Sequence, residues 1–400
     1  MSPRRSPHLP WLLALLLALA PASARAAAEE GRITWSGAAL AAVQAPDARR
    51  EDGRPALEDT RFVLMRAALG AHAHLGDAWT LEARVASDRA DALDGSPRTP
   101  VTLERCELAW ARSPRMTWRI GRLPVPVGDP DEPLAPGGAP GIARPDVEQL
   151  VIPAPWSAYG LAATGVLGHR ASWTLATLQA LDARGFRART WVRDGRPGAA
   201  DLEGAGLALA ARLDLRVGRA GSLGGSTFTS DRRPRALAPT AEAPRVWVSE
   251  SHARLARGPV TLRAMYAMSV LWDHAALTRT LGFAGGAAAL GKHAFGGLLE
   301  GTLETRPGRS VVMRPFARVE LTDTQDGVGA IGTEDTALHR TMLVGGLECA
   351  LDSGWLVVVD REQRHHEDRG GVGRWNLALG YRLGGVAGGP SSTGSAIAAR

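Results

Sequence analysis

Past residue 26 the chain contains no run of about 18 apolar residues, the length a helix needs to cross a bilayer, so transmembrane helices are excluded. The best remaining uncharged stretch, 281–291, is short and glycine-rich. Lysine is nearly absent: Lys292 stands alone, and arginine carries the net charge of +6. A basic balance can signal nucleic-acid binding. These arginines instead alternate through strand-like segments without aromatic clusters, which argues against a nucleic-acid partner. Cysteine is scarce as well. Cys106 and Cys349 could form one disulfide in an exported protein. Alternation instead groups them with apolar neighbours (Leu108 and Trp110; Leu343 and Leu347) and predicts two free, lipid-facing thiols. No G-x-S-x-G, H-E-x-x-H or Cys/His nucleophile pattern occurs, so the reading is not an enzyme and calls for no cofactor. No Ser/Pro linker divides the chain, and no repeated blade motif suggests a propeller.

What is present begins with an address. Arg4 and Arg5, the apolar stretch 11–20 and Ala24-Arg25-Ala26 form the pattern of a secretory signal, 1–26, cleaved before Ala27. A retained anchor is the alternative. After residue 30, short segments alternate apolar and polar residues. Leu207, Leu209, Ala211, Leu213 and Leu215 are interleaved with Ala208, Ala210, Arg212, Asp214 and Arg216. A strand sends successive side chains to opposite faces, so this is one greasy face and one charged face.

About sixteen such segments (roughly 14–18) can be marked between 31 and 383. The gaps between them are alternately short and long. Short ones read His74-Leu75-Gly76-Asp77, Arg112-Ser113-Pro114-Arg115, Gly168-His169-Arg170 and Asp352-Ser353-Gly354, residues of tight turns. Long, Gly/Pro-rich gaps cover 44–59, 89–100, 124–157, 181–203, 230–244, 272–292 and 323–336. The composition, with Gly 47 and Pro 26, suits many turns. A soluble sandwich has no reason to sort its loops this way, whereas bacterial barrels have short turns at one rim and long loops at the other. The expected fold is therefore all-β: a transmembrane, antiparallel, up-and-down barrel over 27–383. The segment 384–400, rich in Gly, Ser and Ala, reads as a disordered tail.

The charged faces settle which solvent lies where. Thr80, Glu82 and Arg84 oppose Trp79, Leu81 and Ala83; Arg314, Arg318 and Glu320 oppose Met313, Ala317 and Leu321. Burying so many ions in a dry core would cost several kcal/mol each. A water-filled lumen accepts them at little cost. Aromatics are only 5% of residues, yet Trp35, Trp79, Trp110, Trp118, Trp173, Trp247, Trp272, Trp355, Trp375 and Tyr381 sit near strand ends, as interfacial girdles do. Inward alanine and glycine (Ala208, Ala210, Gly296, Gly346, Ala378, Gly380) suggest open space.

Three runs carry a family likeness. They are Arg314-Pro315-Phe316-Ala317-Arg318-Val319-Glu320-Leu321-Thr322-Asp323-Thr324-Gln325, the closing Trp375-Asn376-Leu377-Ala378-Leu379-Gly380-Tyr381, and Arg119-Ile120-Gly121-Arg122-Leu123-Pro124-Val125-Pro126-Val127-Gly128. Together they resemble the phosphate-selective porin O/P-like family and related general porins of Gram-negative bacteria. That resemblance implies a sixteen-stranded barrel in outer-membrane lipid, often a homotrimer, passing small hydrophilic solutes or anions. Members of the family end on an aromatic residue and use lysine clusters for phosphate. This chain does neither, so phosphate specificity is not carried over.

In such porins the gap after the fifth strand folds inward. Here it is 123–157, with Asp129, Asp131, Glu132, Asp146 and Glu148 beside Arg144. These acids are expected to face wall residues Arg66, Arg84, Arg105, Arg119, Arg212, Arg263, Arg318 and Glu320 across the lumen, setting a transverse field. The alternative is an external loop with solvating arginines. His365-His366-Glu367-Asp368 reads as a solvated loop in preference to a metal site, since adjacent histidines point apart. The competing functions are an outer-membrane barrel enzyme of lipase or protease type and a structural or adhesive barrel with a plugged lumen.

Overall fold

The computed structural model describes residues 33–48, 59–88, 101–128, 140–200, 206–231, 245–308, 310–367 and 371–383. The signal 1–26 and the tail 384–400 lie outside the described residues. Sixteen strands follow one another: β1 Ile33–Pro46, β2 Arg61–His74, β3 Trp79–Asp88, β4 Val101–Ser113, β5 Met116–Pro124, β6 Ser157–Leu167, β7 Ala171–Gln179 and β8 Leu207–Val217. The second half holds β9 Gly221–Asp231, β10 Arg245–Arg257, β11 Val260–Leu271, β12 His293–Leu303, β13 Val311–Asp326, β14 His339–Leu351, β15 Trp355–His366 and β16 Val372–Leu383. Each strand pairs antiparallel with its sequence neighbours, and β1 pairs with β16 (Ala41 opposite Leu379), so the sheet closes into a barrel with no edge. Closure satisfies every strand's backbone within the sheet, the condition for strands to cross lipid.

The faces are inverted relative to a soluble domain. Leu209 and Leu377 are 59% and 52% exposed, while Arg318 and Glu320 are 3% and 1% exposed. Only a lipid can bathe a continuous belt of exposed Leu and Val at no cost. Cys106 and Cys349 are free and their neighbours on this outer face are apolar. Tryptophans cluster at the short-turn rim: Trp79 stacks on Trp110 with ring centroids 5.8 Å apart, and Trp355 meets Tyr381 at 5.0 Å. β15–β16 breaks the loop rule, its long-rim connection spanning only Glu367 to Gly371.

The packed apolar matter lies inside the barrel. Trp156, Phe186, Trp191, Leu277 and Leu290 from three connections pack with Phe228 onto inward Ala176, Ala208, Ala210 and Ala294. A short helix α1, His274–Thr280, supplies Leu277. Ile142 meets Phe316, Met342, Val344, Leu356 and Val358 on the opposite wall, and Val147, Val151 and Ile152 cover Met265, Ala267 and Leu298. Contrary to the expectation above, the inward alanines and glycines do not mark open water. Ala208, Ala210 and Ala378 are buried, and a Cβ on Gly296 would stand 3.1 Å from Val147. Small residues make room for backbone that folds into the barrel.

Placing arginine on the lipid face tests the inversion. Leu377→Arg is expected to lower folding stability in lipid vesicles by about 2–4 kcal/mol, measured by denaturant titration of the refolded protein.

Candidate functional site

The described parts of the connection between β5 and β6, 125–128 and 140–156, lie inside the barrel. The two ends of the connection are clamped by Val125 N–H donating to the Trp156 carbonyl at 3.0 Å. Gly128 N–H donates to Ser226 Oγ at 3.2 Å, and Arg212 donates to the Gly128 carbonyl. Farther along, Ile142 N–H donates to Asp360 Oδ2 at 3.1 Å and Asp146 N–H to Glu320 Oε2 at 2.6 Å. A π-helical turn, Val147–Val151, then rests on β11, β12 and β13. Irregular backbone cannot enter a barrel without partners for its polar groups, and these wall side chains provide them.

The entrance to this segment depends on Gly121, the glycine of the Arg119-Ile120-Gly121-Arg122 run. Its φ is +130°, and a Cβ there would lie 2.2 Å from the Cys106 carbonyl oxygen. Only glycine fits.

The predicted wall residues separate into two groups. Arg263 and Arg318 stand in one row with Glu300, across β11, β12 and β13. Arg263 binds Glu148; Arg318 binds Glu320 at 2.6 Å and Glu300 at 3.3 Å, and donates to the Ala143 carbonyl at 3.3 Å. Asp146 lies 3.8 Å from Arg340 and 3.7 Å from Arg364, and Glu148 lies 3.2 Å from Arg144. The acids and arginines on this side therefore touch. They do not face one another across open water. Arg263, Arg318 and Glu320 are shut away from solvent and bolt the inward segment down, which corrects their assignment as pore lining. Strand periodicity gave their face but not their cover.

Arg66, Arg84, Arg105, Arg119 and Arg212 do come together, with Arg144, around a 210 Å³ cavity midway along β2–β8. Arg66 holds Glu104 with two bonds of 2.8 Å and Asp88 at 2.7 Å. Arg105 pairs with Glu82 at 2.7 Å, and Arg119 with Glu107. Two bulges build this wall. Met65 and Glu104 have no cross-strand partner, so each strand presents two consecutive side chains inward: Met65 with Arg66, and Glu104 with Arg105. Glu104 was missed by a strict two-residue period for that reason. The cavity's other side is apolar: Val125, Pro126, Val127, Pro155 and Trp156. Asp129, Asp131 and Glu132 lie outside the described residues.

A second connection, between β7 and β8, also turns inward; its sequence reads only as another polar gap. Trp191 and Arg193 are buried. Trp191 Nε1 donates to Ser269 Oγ at 2.8 Å. Arg193 Nη1 donates to the Gln149 and Ala154 carbonyls at 2.6 and 2.7 Å, tying this connection to the first. Arg122 reaches the Pro197 and Gly198 carbonyls, and Tyr159 OH the Ala199 carbonyl at 2.8 Å. The one available sequence signal was a buried-type pair, Trp191 and Val192, inside a charged gap.

At the long-loop rim a 750 Å³ vestibule is lined by Arg187, Arg189, Arg340, Arg364 and Arg374, with Asp194, Asp335 and Glu362 interspersed. Between the levels of vestibule and turns, His252 bonds Glu250 at 2.7 Å and Asp214 at 3.1 Å. It crosses β9 over Gly224, where a Cβ would lie 2.3 Å from the imidazole. Its ring nitrogens are thus committed to carboxylates. Among the described residues no cluster of three His, Cys, Asp or Glu is arranged for a metal.

No protein-family model and no curated protein matches the sequence. Solved structures do match in fold. Pseudomonas putida OprB has a TM-score of 0.56 at 11% identity, covering 91% of this chain and 97% of its own. Salmonella typhi OmpF, in complex with daunomycin, gives 0.55 at 12%, covering 89% and 99%. An anion-selective porin from Comamonas acidovorans gives 0.52 at 10%, covering 88% and 99%. The chain thus has the sixteen-stranded fold of outer-membrane porins.

Removing one bolt exposes its worth. Arg318→Ala leaves Glu320 buried without its cation and Glu300 with only Arg263 beside it, and is expected to cost about 3–5 kcal/mol in denaturant unfolding. The triple change Arg318→Met, Glu300→Gln, Glu320→Gln is expected to recover most of that loss.

Proposed function

We propose that the protein is an outer-membrane porin, exported by its N-terminal segment, through which small hydrophilic solutes or anions diffuse passively. The observation that carries this reading is the inverted barrel: an apolar exterior around an interior lined with ions and cavities. Charged walls are cheap only where water reaches part of them. In this reading the segment 123–157 narrows the lumen, and solutes pass between its apolar edge at Val125, Val127 and Trp156 and the arginine wall of β2–β5. The vestibule arginines favour anions by raising their local concentration at the mouth. The name of one structural neighbour, an anion-selective porin, points the same way. A plugged structural barrel is the second reading, favoured by the buried inward alanines.

Planar bilayers distinguish the two. The refolded protein is expected to give stepwise, nanosiemens-scale openings, whereas a plugged barrel is silent. Arg84→Glu and Arg119→Glu are each expected to shift the reversal potential in a KCl gradient toward cation preference. An unchanged potential would remove the β2–β5 arginines from the solute path.

A further inference from the structure

The 210 Å³ cavity has the two halves of a binding site, not only of a passage. On one side are guanidiniums of Arg66, Arg84, Arg105 and Arg119; on the other are Val125, Val127, Pro155 and Trp156. Trp156 is 6% exposed, and its indole N–H has no acceptor among the described residues. A buried donor left unmade costs stability, and its neighbourhood here is a cavity, so an incoming acceptor would satisfy it.

We infer that this cavity binds small organic monocarboxylates with a compact apolar body, of which benzoate is the simplest aromatic representative. The inference rests on the channel reading for access and names the solute class. The carboxylate takes its hydrogen bonds from the guanidinium wall and the Trp156 N–H, and the ring lies against the valine and proline edge. Size supports this, because the cavity is smaller than the roughly 300–1,000 Å³ clefts that hold drug-sized ligands. Charge supports it too. Each lining arginine already has a carboxylate within reach: Asp88 for Arg66, Glu104 for Arg84, Glu82 for Arg105, Glu107 for Arg119, Glu148 for Arg144 and Asp214 for Arg212. Such a balanced wall lacks the net positive charge that would hold a multiply charged anion. Inorganic phosphate would in addition lose hydration against the apolar edge without replacement.

The experiment pairs calorimetric binding on the detergent-folded protein with current block in bilayers. Benzoate and cyclohexanecarboxylate are expected to bind at least about tenfold more tightly than acetate, as burial of several CH groups requires. Phosphate, benzyl alcohol and benzylamine are expected not to compete. Trp156→Phe keeps the ring's packing and removes the N–H, and should weaken benzoate about fivefold; Arg84→Gln should weaken it as well, by removing a guanidinium from the wall. Equal binding of acetate and benzoate, or tighter binding of phosphate, overturns the inference even if the barrel conducts. Benzoate binding in a barrel that never conducts supports the site and refutes the channel.

Discussion

The interior of this protein depends on the guanidinium group as a clamp for irregular backbone. A loop folded into a barrel brings carbonyls that no strand can pair. Arg193 spans the Gln149 and Ala154 carbonyls, Arg122 reaches those of Pro197 and Gly198, and Arg318 serves the Ala143 carbonyl along with two carboxylates. A planar fork with five donors can meet several fixed acceptors at once; an ammonium cannot hold that geometry. The near-absence of lysine is then a structural matter as well as one of net charge.

Two kinds of arginine follow from this. Those on β11–β13 face inward-folded backbone and are consumed by it. Those on β2–β5 face carboxylates of their own wall and keep an edge on the cavity. The difference lies in what covers each strand, since both sets share the inward face and the same two-residue period. The β2 and β4 bulges enrich the second set by adding one inward side chain to each strand without lengthening the barrel.

Much of the architecture was legible in the chain. Period-2 alternation put Leu209 outside and Arg212 inside, and alternating gap lengths required an even count and a common rim for the turns. The same rule failed wherever the period is broken, as at Met65 and Glu104. It was also silent about depth. Ala208 looks the same in sequence whether water or Phe228 lies beyond it, and Arg318 looks the same whether it lines a passage or anchors a loop. The inward turn of the β7–β8 connection left only Trp191 and Val192 as a trace, because its anchors are carbonyls, which every residue carries.

The link made by Arg193 has a consequence for how such a protein can change over generations. Two loops that share a buried cross-tie are no longer independent modules. An insertion or deletion in the β7–β8 connection moves the Arg193 fork, and with it the Gln149–Ala154 backbone that borders the cavity. The two loops thus hold their shape as a matched pair, and grafting either one alone onto another barrel transfers the letters without the shape.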